Sequence, residues 1–124
     1  MEQAHLEHYL HNLKAAQQGY PFGPDVLVYK VMGKMFALLT KNEAGCSVNF
    51  KAQPSDVEVL VDEFMAISPG YHMNKRHWIT VKLKGDVPAG MIENLASQSY
   101  ALVVSKLTKK LQLELDELAY IEKE

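Results

Sequence analysis

The chain has 124 residues, 48% apolar and 23% charged, with 13 basic and 15 acidic side chains and a formal charge of −2. A chain of that length buries roughly two-thirds of its unfolded surface in one core, and its balance excludes disordered, collagen-like and disulfide-stapled chains. The near-neutral total excludes a uniformly basic polyanion binder, so a nucleic-acid or membrane partner would have to be met by a local patch.

Leu6, Tyr9, Leu10 and Leu13 fall at helical spacing and predict a helix over residues 3–17, stopped by Gly19. The Gly19–Pro24 segment, dense in Gly and Pro, reads as a loop. Val26–Met32 and Lys34–Thr40 are β-rich runs around Gly33, a tight hairpin pattern. Cys46–Lys51 alternates, with Cys46, Val48 and Phe50 on one face and Ser47, Asn49 and Lys51 on the other. Pro54 opens a second helix with Val57, Leu60, Val61 and Phe64 as its buried stripe, ended by Ser68-Pro69-Gly70. Residues 71–77 show no period. Trp78–Lys84 alternates again, with Ile79, Val81 and Leu83 inward and Lys82 and Lys84 on the solvent side with Trp78 and Thr80. Pro88 starts a third helix, and the tail over 107–124 keeps a helical leucine pattern. The order α-β-β-β-α-β-α predicts a single α+β domain over residues 1–124, an antiparallel sheet with helices packed on one face.

No phosphate loop, dinucleotide fingerprint or nucleophile elbow is present, and no catalytic residue is assigned. Cys46 is the only cysteine and reads as a small core hydrophobe. His5, His8 and His11 recur every three residues, but the outer pair drifts around the helix, so a solvated polar face is the expectation. No metal and no cofactor are expected. The N-terminus lacks a basic segment followed by an apolar one, and no apolar run reaches the roughly 18 residues that cross a bilayer. A cytoplasmic location without a membrane partner follows as an expectation, as does a monomer or weak homodimer.

The most informative stretch is Pro69–Lys84. It contains Lys75, Arg76, Lys82 and Lys84, two histidines, Asn74, Tyr71 and Trp78, and no acidic residue. Cations, an amide and aromatics together suit phosphate contact and base stacking.

Three blocks of sequence carry a family resemblance. The first is Tyr20-Pro21-Phe22-Gly23-Pro24-Asp25 running into Val26–Val31, with Gly33–Leu38 behind it. The second is His72-Met73-Asn74-Lys75-Arg76-His77-Trp78 before a strand. The third is Leu83-x-Gly85-x-Val87-Pro88 leading to a helix with Ser99-Tyr100. Together they resemble the MmcQ/YjbR family over about residues 4–112. The resemblance implies a CyaY-like, or frataxin-like, arrangement of helices against one face of an antiparallel sheet. It also implies a DNA-binding label, with DNA as the partner, and carries no catalytic residues.

The candidate nucleic-acid-binding residues are therefore His72, Asn74, Lys75, Arg76, His77, Trp78, Lys82 and Lys84. Two alternatives stand beside this one. A small-molecule or enzymatic pocket would join His72, Asn74 and His77 to Tyr20, Asp25 or Tyr29, since histidine is well poised for proton transfer near neutrality. A protein-interaction module is the other.

Overall fold

The computed structural model describes residues 1–70 and 73–122, with side chains through residue 118. The helix α1 spans Gln3–His11 and is followed by strand β1, Ala16–Gly19. Three strands come next: β2 (Val26–Val31), β3 (Lys34–Asn42) and β4 (Gly45–Lys51). Helix α2 (Pro54–Glu63), strands β5 (Ile67–Pro69) and β6 (Trp78–Lys82), and helices α3 (Ala89–Ser105) and α4 (Lys109–Glu122) complete the chain. The strands form one antiparallel sheet in the order β1-β2-β3-β4-β6-β5. The fold class expected from the sequence, α+β with an antiparallel sheet, is the observed one.

Four boundaries differ from the expected ones. The first helix stops at His11 rather than 17, capped at Asn12, and Ala15 at a left-handed φ of 59° turns the chain into β1. Helix α2 ends at Glu63, and Ile67–Pro69 is a short edge strand rather than a helix terminator. The final strand stops at Lys82, two residues early. The tail is a separate helix, not a continuation of α3.

The β2–β3 hairpin closes through Met32 and Gly33, both at positive φ (49° and 82°). That conformation matches the twist of the flanking strands, and glycine supplies half of it without strain. Farther along, the register slips between Tyr29 and Lys30, which face Ala37 and Met35 and leave Phe36 as the extra residue. A bulge of this kind lets two successive residues turn to one face. Phe36 and Ala37 both enter the core.

That core lies on one face of the sheet. Leu27, Tyr29, Val31, Leu39, Val48, Phe50, Ile79 and Val81 supply its strand side. Leu6 and Leu10 of α1, Val57 and Leu60 of α2, and Ile92, Leu95, Ala96 and Val103 of α3 cover it, and α4 adds Leu115. Helix α3 lies across β3 and β4, the middle of the sheet. Its Ser99, fully buried, donates to the Phe36 carbonyl at the bulge (2.6 Å) and accepts the Lys51 backbone N–H (2.8 Å). One hydroxyl thus satisfies both the bulge and the last residue of β4, groups that would be costly to bury unpaired. Tyr100 meets Phe36 edge to face at 5.3 Å and donates its hydroxyl to the Lys14 carbonyl. The Ser99-Tyr100 pair quoted for the resemblance is a clamp on the sheet.

Candidate functional site

Among the described residues no helix packs on the opposite sheet face. Since Val48, Phe50, Ile79 and Val81 point into the core, alternation sends Ser47, Asn49, Lys51, Trp78, Thr80 and Lys82 to the open face. In the β4–β6 ladder Ser47 sits opposite Lys82, Asn49 opposite Thr80 and Lys51 opposite Trp78. Thr80 donates its hydroxyl to Asn49 Oδ1 (3.1 Å), which fixes the middle row. Lys30 joins this face from β2, between the core residues Tyr29 and Val31. The six strands carry five lysines (Lys30, Lys34, Lys41, Lys51, Lys82) and no carboxylate.

Part of this face is apolar. Val28, Leu38 and Trp78 form a second cluster, with Val26, Met35 and Met73 packed against it. The 73–77 turn therefore folds back over the open face rather than standing off it. Its backbone is fixed at several points. Gly70 donates its N–H to the Trp78 carbonyl (2.8 Å) and its carbonyl accepts Met73 N–H (2.9 Å). A Cβ on residue 70 would sit 2.9 Å from Trp78 Cβ, so only glycine fits this approach. Asn74 closes the turn, its Oδ1 accepting Arg76 N–H (3.1 Å) and its carbonyl accepting His77 N–H (2.9 Å). The His77 carbonyl in turn accepts Ala52 N–H (2.9 Å), tying the turn to the end of β4.

The candidate residues that are described do not form one patch. His72 lies outside the described residues. Trp78 is only 9% exposed, so its ring anchors the turn and is not a platform for base stacking. Asn74 and His77 have exposed side chains, and Asn74 also serves the turn itself. Lys75 and Arg76 are exposed at one end of β6; Lys82 and Lys84 are exposed at the other. The strand between them spans about 13 Å. Lys82 and Lys84 share a shallow hollow with Asn42, Cys46 and Ser47. Lys75 and Arg76 instead border a cleft of about 590 Å³ whose other wall is α2, with Glu58 and Asp62. The candidate set omitted Lys30 and Lys51, although strict alternation placed Lys51 on the solvent side.

Of the pocket alternative, whose His72 lies outside the described residues, Tyr29 does not meet the 73–78 segment. Tyr29 is fully buried in the helix-covered core and donates its hydroxyl to the Glu7 carbonyl (3.4 Å), while the 73–78 segment packs on the opposite face. Burial first, and the Glu7 carboxylate and Tyr20 second, push the Tyr29 hydroxyl up to about 12, so it is no acid–base group near neutrality. Cys46 is half-buried against the core, and burial raises its thiol, with Lys41 acting in the opposite direction. On α1, His5 Nε2 lies 3.0 Å from Glu93 Oε2 of α3, and His8 meets Asn12 one turn on. His5 and His8 thus turn to different partners. Among the described residues no helix is long and apolar enough to cross a membrane.

The comparisons with known proteins agree with this architecture. Residues 11–102 match the YjbR family. The chain belongs to that family. It is 36% identical over 91 residues to the uncharacterised protein YbdF of Escherichia coli O157:H7, covering 73% of this chain and 75% of that one. It is 33% identical over 81 residues to the uncharacterised protein YjbR of Escherichia coli K12, covering 65% of this chain and 69% of that one. Among solved structures it resembles Deinococcus radiodurans protein DR2400, of the DUF419 domain family. The TM-score is 0.82 at 36% identity, over 90% of this chain and 85% of that one. A Pseudomonas syringae protein gives a TM-score of 0.72 at 30% identity, over 82% and 98%. The matched YjbR segment contains the bulge, the open face, the 73–77 turn and the Ser99 clamp. It ends before α4.

Proposed function

We propose that this YjbR-family chain binds DNA weakly and without sequence preference, through phosphate contacts along the open sheet face. One observation carries the reading: the open face presents Lys30, Lys51 and Lys82, with Lys84 beyond the strand end, and the strands hold no carboxylate. Lys51 and Lys82 stand at opposite ends of the β4–β6 ladder, about 13 Å apart, with the Asn49–Thr80 pair between them. Lysines in a row with hydrogen-bonding side chains suit a phosphate backbone and read no bases. Lys30 and Lys51 are half-buried, and a lysine so placed lays its stem on the surface while its ammonium reaches water.

Lys75 and Arg76 contribute less to this contact than their charge suggests. Glu58 and Asp62 face them across the cleft and repel a polyanion approaching that rim. Trp78 acts through the fold, by holding the turn beside Lys51.

The test is a fluorescence-anisotropy titration of duplex DNA at about 50 and about 200 mM salt. Three to four phosphates neutralised give a slope of log affinity against log salt near −3, with dissociation constants on the order of 10–100 μM at physiological salt. Lys51→Ala with Lys82→Ala flattens the slope by about two units on every sequence tried. Lys75→Ala with Arg76→Ala changes it by less. No binding at the lower salt concentration would remove the reading.

A further inference from the structure

Along α2, Pro54, Val57, Glu58, Val61 and Asp62 recur three or four residues apart and so share one face of the helix. That face does not rest on the sheet alone. It walls the cleft of about 590 Å³, with Pro69 of β5 and the Lys75 and Arg76 side chains on the far side. Small-molecule sites fall in the range of about 300–1,000 Å³. The floor is apolar, made by Pro54, Val57, Val61 and Pro69. The two rims carry opposite charge. Helix α2 contributes Glu58 and Asp62 to one rim, and the turn contributes Lys75 and Arg76 to the other.

The rims do not neutralise each other. Among the described residues the ion pair within 4.0 Å is His5–Glu93, so neither Glu58 nor Asp62 bridges to Lys75 or Arg76. Opposite charges held apart across an apolar floor favour a guest that brings both signs. An anion would be repelled by the α2 rim and a cation by the turn. A zwitterion satisfies both, with its ammonium toward Glu58 and Asp62 and its carboxylate toward Lys75 and the forked guanidinium of Arg76. The turn that carries the cations is already set by Asn74 and by the Gly70–Trp78 contact, so little order is lost on binding.

We propose that the cleft between α2 and the 73–77 turn binds a small zwitterion, an amino acid or short peptide with free ends and an apolar middle. This site is separate from the open-face lysines and stands or falls without them.

The probe is the tripeptide Ala-Leu-Ala, titrated into the full ¹⁵N-labelled chain and followed by amide chemical shifts. The expected perturbations centre on residues 57–62 and 73–77. Acetylating the amine or amidating the carboxyl weakens binding by about tenfold each, the factor that about 1.4 kcal/mol of lost pairing gives. The variants assign the direction. Glu58→Gln with Asp62→Asn removes the penalty for acetylation but keeps that for amidation; Lys75→Gln with Arg76→Gln does the reverse. Three results overturn the proposal: shifts centred elsewhere, a doubly blocked peptide that binds as well as the free one, or no shift at millimolar peptide. The blocked-peptide comparison uses the unaltered chain, so it decides even where a variant folds poorly.

Discussion

On its helix-covered face the sheet packs Tyr29, Phe36, Phe50 and Ile79 out of contact with water, and on its open face the same strands present Lys30, Lys51, Thr80 and Lys82. Neighbouring residues of one strand therefore answer to different constraints. Inward positions are fixed by volume and by the Ser99 clamp. Outward ones are free to carry charge, except where Val28, Leu38 and Trp78 form the small cluster under the 73–77 turn. The difference predicts that stability is concentrated inward, with Trp78 as the outward exception.

The largest effect belongs to the bulge. Phe36→Ala empties the position where β3, Tyr29 and Tyr100 meet, and the expected cost is about 3–5 kcal/mol in chemical denaturation. Trp78→Ala comes next. Its site borders solvent and the turn can settle into the space, so the expected loss is about 2–3 kcal/mol, below the usual cost for a core aromatic. A Trp78 variant as damaging as the Phe36 one would erase the distinction between the faces. Ser99→Ala leaves the Phe36 carbonyl and the Lys51 N–H without their partner. The expected cost is about 1–3 kcal/mol, with faster amide exchange at Lys51. By contrast, Lys51→Ala and Lys82→Ala should each lie within about 0.5 kcal/mol of the parent chain.

Most of the covered face was legible in the sequence, because alternation in Cys46–Lys51 and Trp78–Lys82 and the stripes of α2 and α3 are direct signatures of burial. The edges were not. Ala16–Gly19 has two glutamines and a glycine, so nothing in it marks a strand, and it is one only because β2 offers a free edge. Ile67–Pro69 is three residues long and ends in proline, which a sheet tolerates only at its margin. Leu13 continued the α1 stripe, yet the helix is capped at Asn12 and the chain turns away through Ala15 at positive φ. Trp78 followed the alternation correctly to the Lys82 face, but its burial depends on Val28 and Leu38 from distant strands. At the candidate site, the acid-free run was visible, but not the fact that Lys75 and Arg76 would face Glu58 and Asp62. That requires knowing how α2 lies against β5.

The smallest effect lies at the turn after β6, which closes the sheet against the end of α2. Gly85 sits so near Ala66 that a Cβ would approach its Cβ to 2.4 Å. The exposed Asp86 beside it accepts backbone N–H groups from Met65 (2.8 Å) and Ala66 (2.9 Å). Those two hydrogen bonds favour the carboxylate and hold Asp86 below its ordinary value of 3.8. A folded-state value below the unfolded one means that the unfolded chain takes up the proton first as pH falls. The stabilisation is then complete above about pH 4 and is lost as pH drops through the lower, folded value. Asp86→Asn offers one acceptor oxygen in place of two and turns an amide toward the second N–H. Its melting temperature should lie slightly below that of the parent at pH 7, and the gap should close in more acidic solution. Thermal melts of both chains from neutral to about pH 2 measure this directly. A gap that stays constant across the range would mean that the turn depends on the shape of the Asp86 side chain and not on its charge.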